Sequence, residues 1–111
     1  MLPIVTAQAR RFVAVVDTGF TNQLWMGNLY AQRLGVTPSL GPSTQVILAN
    51  GGLVTVIEGW LNIQWVHGIH RAHVFMYPAR PNDTEVLVGT GLLKPSTLEI
   101  VFLSDTVEIR P

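Results

Sequence analysis

Short apolar segments rich in Val, Ile, Thr and aromatic residues recur along this chain, and clusters of Gly, Pro, Asn and Asp separate them. This spacing is typical of an all-β sheet or barrel domain. The pattern predicts strands at residues 2–6, 11–16, 44–49, 53–59, 60–66, 70–77, 85–88, 98–103 and 107–110.

Three of the predicted connections are hairpin turns. Residues 7–10 form a short polar link between the first two strands, and residues 67–69 link the strands at 60–66 and 70–77. The clearest turn is Asn50-Gly51-Gly52, because Asn-Gly supplies the positive φ angles of a tight hairpin. An ordinary surface turn is the alternative interpretation of that hairpin.

Helix signals are few. Leu29, Tyr30, Arg33 and Leu34 have helical spacing, and Gly35 follows at the position of a left-handed C-terminal cap, so a helix is predicted at 28–34. A single turn is predicted at 91–94, and loops at 36–43 and 78–83. Because no repeat, low-complexity tract or linker is visible, residues 1–111 are predicted to form one domain.

Composition narrows the classes of function. Only 13% of the residues are charged and 48% are hydrophobic, so we expect apolar surface to be buried in a subunit interface or a ligand groove. Net charge is zero and no basic patch forms, which argues against nucleic acid and membrane as partners. The absence of cysteine removes disulfides, cysteine zinc sites and cysteine nucleophiles.

The chain start and its longest uncharged run bear on location. The first residues have no basic stretch ahead of an apolar core, so no signal peptide is expected and the predicted location is cytoplasmic. The uncharged run at 34–57 contains too many Pro, Gly, Asn, Ser, Thr and Gln residues for a membrane span.

Candidate chemistry begins at Asp17, which ends an apolar strand and is followed by Thr18 and Gly19. An unpaired buried carboxylate is costly, so Asp17 is either satisfied locally, as in a common Asp-Thr-Gly turn, or held for chemistry. A second apolar strand, at 85–88, also ends in a glycine and is followed by Thr90-Gly91-Leu92-Leu93. The two segments together favour a chemical role.

These segments resemble the retropepsin-like aspartic proteases, of the retroviral type with small prokaryotic members. Residues 15–20, Val-Val-Asp-Thr-Gly-Phe, are similar to the catalytic loop of that family, and residues 46–52 resemble its flap hairpin. Leu87-Val88-Gly89 with Leu92-Leu93 resembles its second motif and the short helix after it. The resemblance implies an all-β fold: a single-lobe closed β barrel with one or two short helices, active as a homodimer and without a cofactor.

The implied activity is that of an aspartic endopeptidase. Peptide hydrolysis needs one group that takes a proton from water and another that gives one, so a single Asp17 is insufficient. Two carboxylates in contact share a proton, which a homodimer supplies through Asp17 of each subunit. Gly19 would let the two loops approach, and by resemblance Thr18 would hydrogen-bond the other subunit's loop.

The implied substrate is an extended peptide or an unfolded protein. A hairpin tipped by Asn50, Gly51 and Gly52 could cover such a strand and exclude water. The resemblance places four further side chains in apolar subsites: Phe20, Leu48, Leu53 and Leu87. It places Glu85 near the rim of a subsite.

The chain departs from the retroviral pattern at four positions that are uncharged here: Thr21, Asn22, Thr90 and Gly91. Without a charged lock between subunits, dimerisation would rest on apolar burial and on pairing of terminal strands. The alternative function is therefore a non-catalytic or weakly active retropepsin-like dimerisation or peptide-binding module.

Other candidate residues give weaker evidence of a functional role. His67, His70 and His73 have metal-like spacing, but alternate strand positions face opposite sides, so solvated turn histidines are preferred and no metal is predicted. The tryptophans at 25, 60 and 65 are predicted to pack in the core or an interface. No Ser is followed by a pattern that indicates a Ser-His-Asp triad.

Overall fold

The computed structural model describes residues 1–48, 50–65, 68–93, 97–101 and 106–110. Within these ranges the protein is mostly β, with two short helices. The elements are β1 (Leu2–Thr6), β2 (Arg11–Val16), β3 (Leu24–Gly27), α1 (Asn28–Leu34), β4 (Thr37–Pro38), β5 (Thr44–Ile47), β6 (Leu53–Trp65), β7 (Gly68–Tyr77), β8 (Val86–Val88), α2 (Thr90–Leu93), β9 (Thr97–Val101) and β10 (Thr106–Arg110).

Six strands close into a barrel in the order β1-β2-β8-β3-β7-β6, and β6 returns to pair with β1. The pairs β2–β8 and β3–β7 are parallel, whereas β3–β8 is antiparallel. β8 therefore lies between β2 and β3, which brings the carboxyl ends of β2 and β8 together. β9 and β10 form a separate two-stranded sheet.

The core forms because side chains alternate along each strand between the inside and the outside of the barrel. In β1 and β2 the residues Leu2, Ile4, Phe12 and Ala14 point inward and are buried, while Arg11 and Val13 are exposed. The central strands β3, β7 and β8 add five more fully buried side chains to the barrel: Leu24, Met26, Val74, Val86 and Val88.

The first helix matches its prediction. α1 spans Asn28–Leu34 and buries Ala31 and Leu34 against the barrel. It ends at Gly35, which has φ of +89° and donates its N–H to the carbonyl oxygens of Ala31 and Gln32. A left-handed conformation is inexpensive only for glycine, which explains why the helix stops there.

Several predicted boundaries were wrong. Residues 53–59 and 60–66 are not two strands, because β6 runs unbroken through Gly59. A Cβ at Gly59 would lie 2.8 Å from the Thr37 carbonyl oxygen, so this glycine permits β4 to approach within what was predicted as a loop. β3 was not predicted, and α2 begins at Thr90 rather than at Gly91.

Residues 68 and 69, predicted as part of a turn, lie in β7, and β8 begins at Val86 rather than at residue 85. The other predicted hairpins are close to the structure. β1, β2, the turn between them and the loop at 78–83 agree with the sequence analysis, and β5 with β6 confirms the hairpin around Gly51. The predictions for residues 49, 66, 67, 94, 102 and 103 lie outside the described residues. In the described part of the chain, neither helix has the length and apolar character needed to cross a bilayer.

Candidate functional site

The loop that follows β2 is tied to the end of β8. The Asp17 N–H donates to the Val88 carbonyl oxygen at 3.0 Å, which continues the parallel pairing of Val16 with Val88. The Phe20 N–H then donates to the Asp17 carbonyl oxygen at 3.1 Å and closes the turn. Strand pairing therefore determines where Asp17 lies.

The Asp17 carboxyl group is half-buried and only partly satisfied. Its Oδ1 accepts the Gly19 N–H at 3.0 Å, which is the local Asp turn considered above. Among the described residues no donor reaches Oδ2. The turn thus orients the carboxyl group while one oxygen stays available for an external donor.

The glycines after β8 allow this loop to pack against the next segment. The Gly89, Thr90 and Gly91 N–H groups donate to the carbonyl oxygens of Gln23, Phe20 and Asn22, respectively. A Cβ on Gly89 would overlap the carbonyl oxygens of Asn22 and Phe20. Glycine is therefore required after β8, because the backbone there lies very close to the segment that follows Asp17.

Asp17 faces a groove of about 350 Å³ that we call the acid groove. The Asp17 loop, β3, β8 and the β5 arm of the hairpin converge on it. Its lining consists of Asp17, Gly19, Phe20, Trp25, Val46, Ile47, Leu48 and Leu87. Asp17 is the one ionisable side chain in this described lining, so the groove pairs one carboxyl group with apolar walls.

One wall of the acid groove is aromatic. Phe20 and Trp25 pack edge to face with ring centroids 6.1 Å apart, and Trp25 stacks on Tyr77 at 5.3 Å. Phe75 lies behind both Phe20 and Trp25, with its centroid 6.4 Å from each. These contacts hold the two lining rings in fixed orientations.

The hairpin tip differs in detail from the predicted tight turn. Leu48 donates its N–H to the Gly52 carbonyl oxygen at 2.8 Å, and Gly51 donates to the Leu48 carbonyl oxygen at 2.9 Å. Only Gly51 of these residues has a positive φ, +84°, so Asn50 does not use the backbone conformation that the sequence suggested. Its Oδ1 instead accepts the Gly52 N–H at 2.8 Å.

The structure brings five of the predicted site residues to the acid groove: Asp17, Gly19, Phe20, Leu48 and Leu87. It does not bring the others there. Thr18 is exposed beside the groove, and the tip residues Asn50, Gly51, Gly52 and Leu53 lie beyond its lining. Glu85 lies along a separate groove of about 720 Å³ with Arg11 and Val13.

Three lining residues were missed by the sequence analysis. Val46 and Ile47 precede the predicted Leu48, and their place in an apolar hairpin arm was a usable signal. Trp25 was assigned only to packing because β3, the strand that carries it, was not predicted.

The histidines lie outside the acid groove. The His73 Nε2 is 2.9 Å from Glu58 Oε1, and the His70 Nε2 is 3.3 Å from Gln23 Oε1. β6–β7 pairing brings Glu58 to His73 although the two are distant in sequence. Over the described ranges no group of three His, Asp or Glu side chains is placed to hold a metal, and His67 lies outside those ranges.

Tyr77, behind Trp25, gives a pH-dependent prediction. Burial, and then the hydrogen bond from its hydroxyl to Asp83 Oδ2 at 2.8 Å, raise the pKa of Tyr77 above its usual value. The folded state thus holds the phenolic proton more tightly than the unfolded state. The contribution of the protonated Tyr77 hydroxyl to the stability of the fold is complete below about pH 10, and it is lost as the pH rises further.

We therefore expect Tyr77→Phe to lose stability less steeply than wild type in urea denaturation series from about pH 8 to pH 11. Tyr30→Phe is the control, because Tyr30 packs against the core and forms no described hydrogen bond through its hydroxyl. Equal alkaline slopes for Tyr77→Phe and wild type would contradict the assignment.

Comparisons of the chain with protein-family models, with curated proteins and with solved structures find no match.

Proposed function

We propose that this protein is an aspartic endopeptidase of the retropepsin-like class, active as a homodimer in which each subunit contributes Asp17. The observation that carries the proposal is the state of the Asp17 carboxyl group. One oxygen is held by the Gly19 N–H, the other has no donor among the described residues, and the group faces an apolar groove. A carboxyl group in this state is oriented to take a proton from a water molecule.

One carboxyl group cannot act as base and acid in the same step, and the described lining of the acid groove contains no second one. Thr18 and Gly19, which follow Asp17 in the loop, are exposed in the single chain. A symmetric second subunit could thus approach this loop and add its own acid. Two carboxyl groups at contact distance share one proton, because both cannot be ionised together.

The proposed reaction uses these two groups in turn. The ionised carboxylate takes a proton from water, and the oxygen of that water forms a bond to the scissile carbonyl carbon. The protonated carboxyl group of the other subunit gives its proton to the carbonyl oxygen. The first carboxyl group then gives the proton that it took from water to the leaving nitrogen, and the second takes a proton back from a hydroxyl of the tetrahedral intermediate. The C–N bond breaks, an acid and an amine are released, and the pair again shares one proton.

The proposed substrate is an extended peptide segment with apolar side chains. The acid groove offers aromatic and aliphatic walls from Phe20, Trp25 and Leu87, and Val46 and Leu48 extend it along the hairpin. An extended strand also finds backbone partners at such a hairpin.

The direct test is digestion of a reduced, unfolded protein from about pH 3 to pH 7, with and without a statine-type inhibitor. We expect cleavage that is favoured by acid, because one carboxyl group of the pair must hold a proton, and that the inhibitor blocks. Light scattering should report a dimer. A strict monomer with and without inhibitor, or cleavage indifferent to the inhibitor, would contradict the proposal.

The alternative, a peptide-binding module with weak or no hydrolysis, is favoured by one observation. Thr90 and Gly91 join Phe20 and Asn22 through backbone hydrogen bonds, and these positions supply no charged side chain to lock two subunits. Saturable binding of the inhibitor without any cleavage would support this alternative.

A further inference from the structure

The outer surface of the β6–β7 pair carries a further concave feature, which we call the polar cavity. Its volume is about 260 Å³, and its lining consists of Gln8, Gly35, Thr37, Trp60, Asn62 and Arg71. None of these residues lines the acid groove. The proposed peptidase chemistry therefore makes no use of the polar cavity.

Arg71 is held in place by an aromatic ring. Its guanidinium carbon lies 4.4 Å from the centroid of the Trp60 ring, within the range of a cation–π contact. Trp60 itself packs against the His73 ring, with centroids 5.1 Å apart. Strand register places Asn62 opposite Arg71. The cation and a neighbouring amide are thus fixed on adjacent strands.

The charge of Arg71 is not neutralised by the described part of the chain. Its guanidinium makes no hydrogen bond or salt bridge to a described residue, and the described lining of the polar cavity contains no acid. Glu58, the acid on β6, is occupied elsewhere, because its two oxygens contact His73 Nε2 at 2.9 Å and Thr44 Oγ1 at 3.1 Å. The cavity therefore presents unused cationic donors.

We propose that the polar cavity binds a small carboxylate, with Arg71 as its main contact. A planar guanidinium matches the two oxygens of a carboxylate, and the ring contact limits the rotational freedom lost on binding. The amides of Asn62 and Gln8 offer donors and acceptors for polar groups next to the carboxylate. The volume is below that of pockets for drug-sized ligands, so the ligand is of amino-acid size.

The test uses N-acetylglycine and its neutral amide, N-acetylglycinamide, as probes of equal shape. Each is titrated into the isotopically labelled protein while the Trp60 indole N–H signal is followed by nuclear magnetic resonance. We expect a saturable shift with N-acetylglycine and none with the amide. Absence of a saturable shift with N-acetylglycine, or equal shifts with both probes, would overturn the proposal.

Variants locate the site. Arg71→Gln should weaken N-acetylglycine binding about tenfold or more, because the charge-assisted bonds are lost. Arg80→Gln makes the same charge change at an exposed position outside the cavity, and it should bind as wild type does. Equal affinities of Arg71→Gln and wild type would overturn the assignment to Arg71.

Two further arms separate related explanations. Inorganic phosphate lacks the amide group that would pair with Asn62 and Gln8, so it should bind more weakly than N-acetylglycine. An equal or higher phosphate affinity would overturn the preference for carboxylate. Asp17→Asn should leave N-acetylglycine binding unchanged, so the outcome for the polar cavity is independent of the outcome for the proposed peptidase.

Discussion

Replacing Asp17 with Asn is expected to lower kcat for peptide hydrolysis by roughly 10³-fold or more. The amide cannot take a proton from water, and it breaks the pair of carboxyl groups that share one. Folding should change little, because the side-chain oxygen of Asn can still accept the Gly19 N–H that Asp17 Oδ1 accepts at 3.0 Å. The measurement is kcat on a chromogenic peptide, with a thermal melt to confirm folding.

Glu85→Gln is the matched control for Asp17→Asn, since it removes one negative charge from an exposed side chain outside the acid groove. Its kcat should stay close to that of wild type. Activity that survives in folded Asp17→Asn would contradict the assignment of Asp17.

Mixed subunits extend this prediction to the homodimer. If wild-type and Asp17→Asn chains exchange in equal amounts, random pairing leaves about one dimer in four with two acids. Activity per total protein should then fall to about a quarter, whereas independent monomers would retain half. A value near one half after complete exchange would contradict a shared pair of acids.

Gly89→Ala is expected to destabilise the fold by about 3 kcal/mol and to abolish hydrolysis with it. The added methyl group would overlap the carbonyl oxygens of Phe20 and Asn22, and neither can move without disturbing the loop after Asp17. Backbone oxygens yield less readily than the end of a flexible side chain. Urea denaturation gives the change in midpoint, and the peptide assay gives the change in activity.

Gly41→Ala is the control for Gly89→Ala. A Cβ at Gly41 would meet only Ser39 Oγ, at the ordinary distance of 3.5 Å, and its φ is not positive. Its stability should lie within about 0.5 kcal/mol of wild type. An unchanged midpoint for Gly89→Ala would contradict the close approach of the Gly89 backbone to the carbonyl oxygens of Phe20 and Asn22.

Elements determined by neighbouring residues could be predicted from the sequence. α1 ends where Gly35 adopts a left-handed conformation, and the β5–β6 hairpin turns where Gly51 does so. Asp17 was proposed as a site residue because it ends an apolar strand and because a second apolar strand, at 85–88, also ends in a glycine. These signals depend on a few consecutive residues and not on the rest of the fold.

Features determined by distant pairing could not be predicted. β3 has only four residues and gains its strand conformation from β7 on one side and β8 on the other. With β3 missing from the prediction, Trp25 had no assigned place in the acid groove. Gly59 resembled a strand end, yet it lies within β6. A glycine is needed there because the Thr37 carbonyl oxygen leaves no room for a side chain.

The length of β6 has a mechanical consequence. Its first part, Leu53–Val56, pairs with β5, whereas its remainder from Ile57 onward pairs with β7 and helps to close the barrel. The hairpin is thus joined directly to the barrel wall through β6, and its tip is the end that lies away from the barrel. If the proposed peptidase admits its substrate by displacing this tip, one continuous strand must bend near Ile57. The stiffness of that strand, and not rotation about a loop, would then set the work of opening the acid groove.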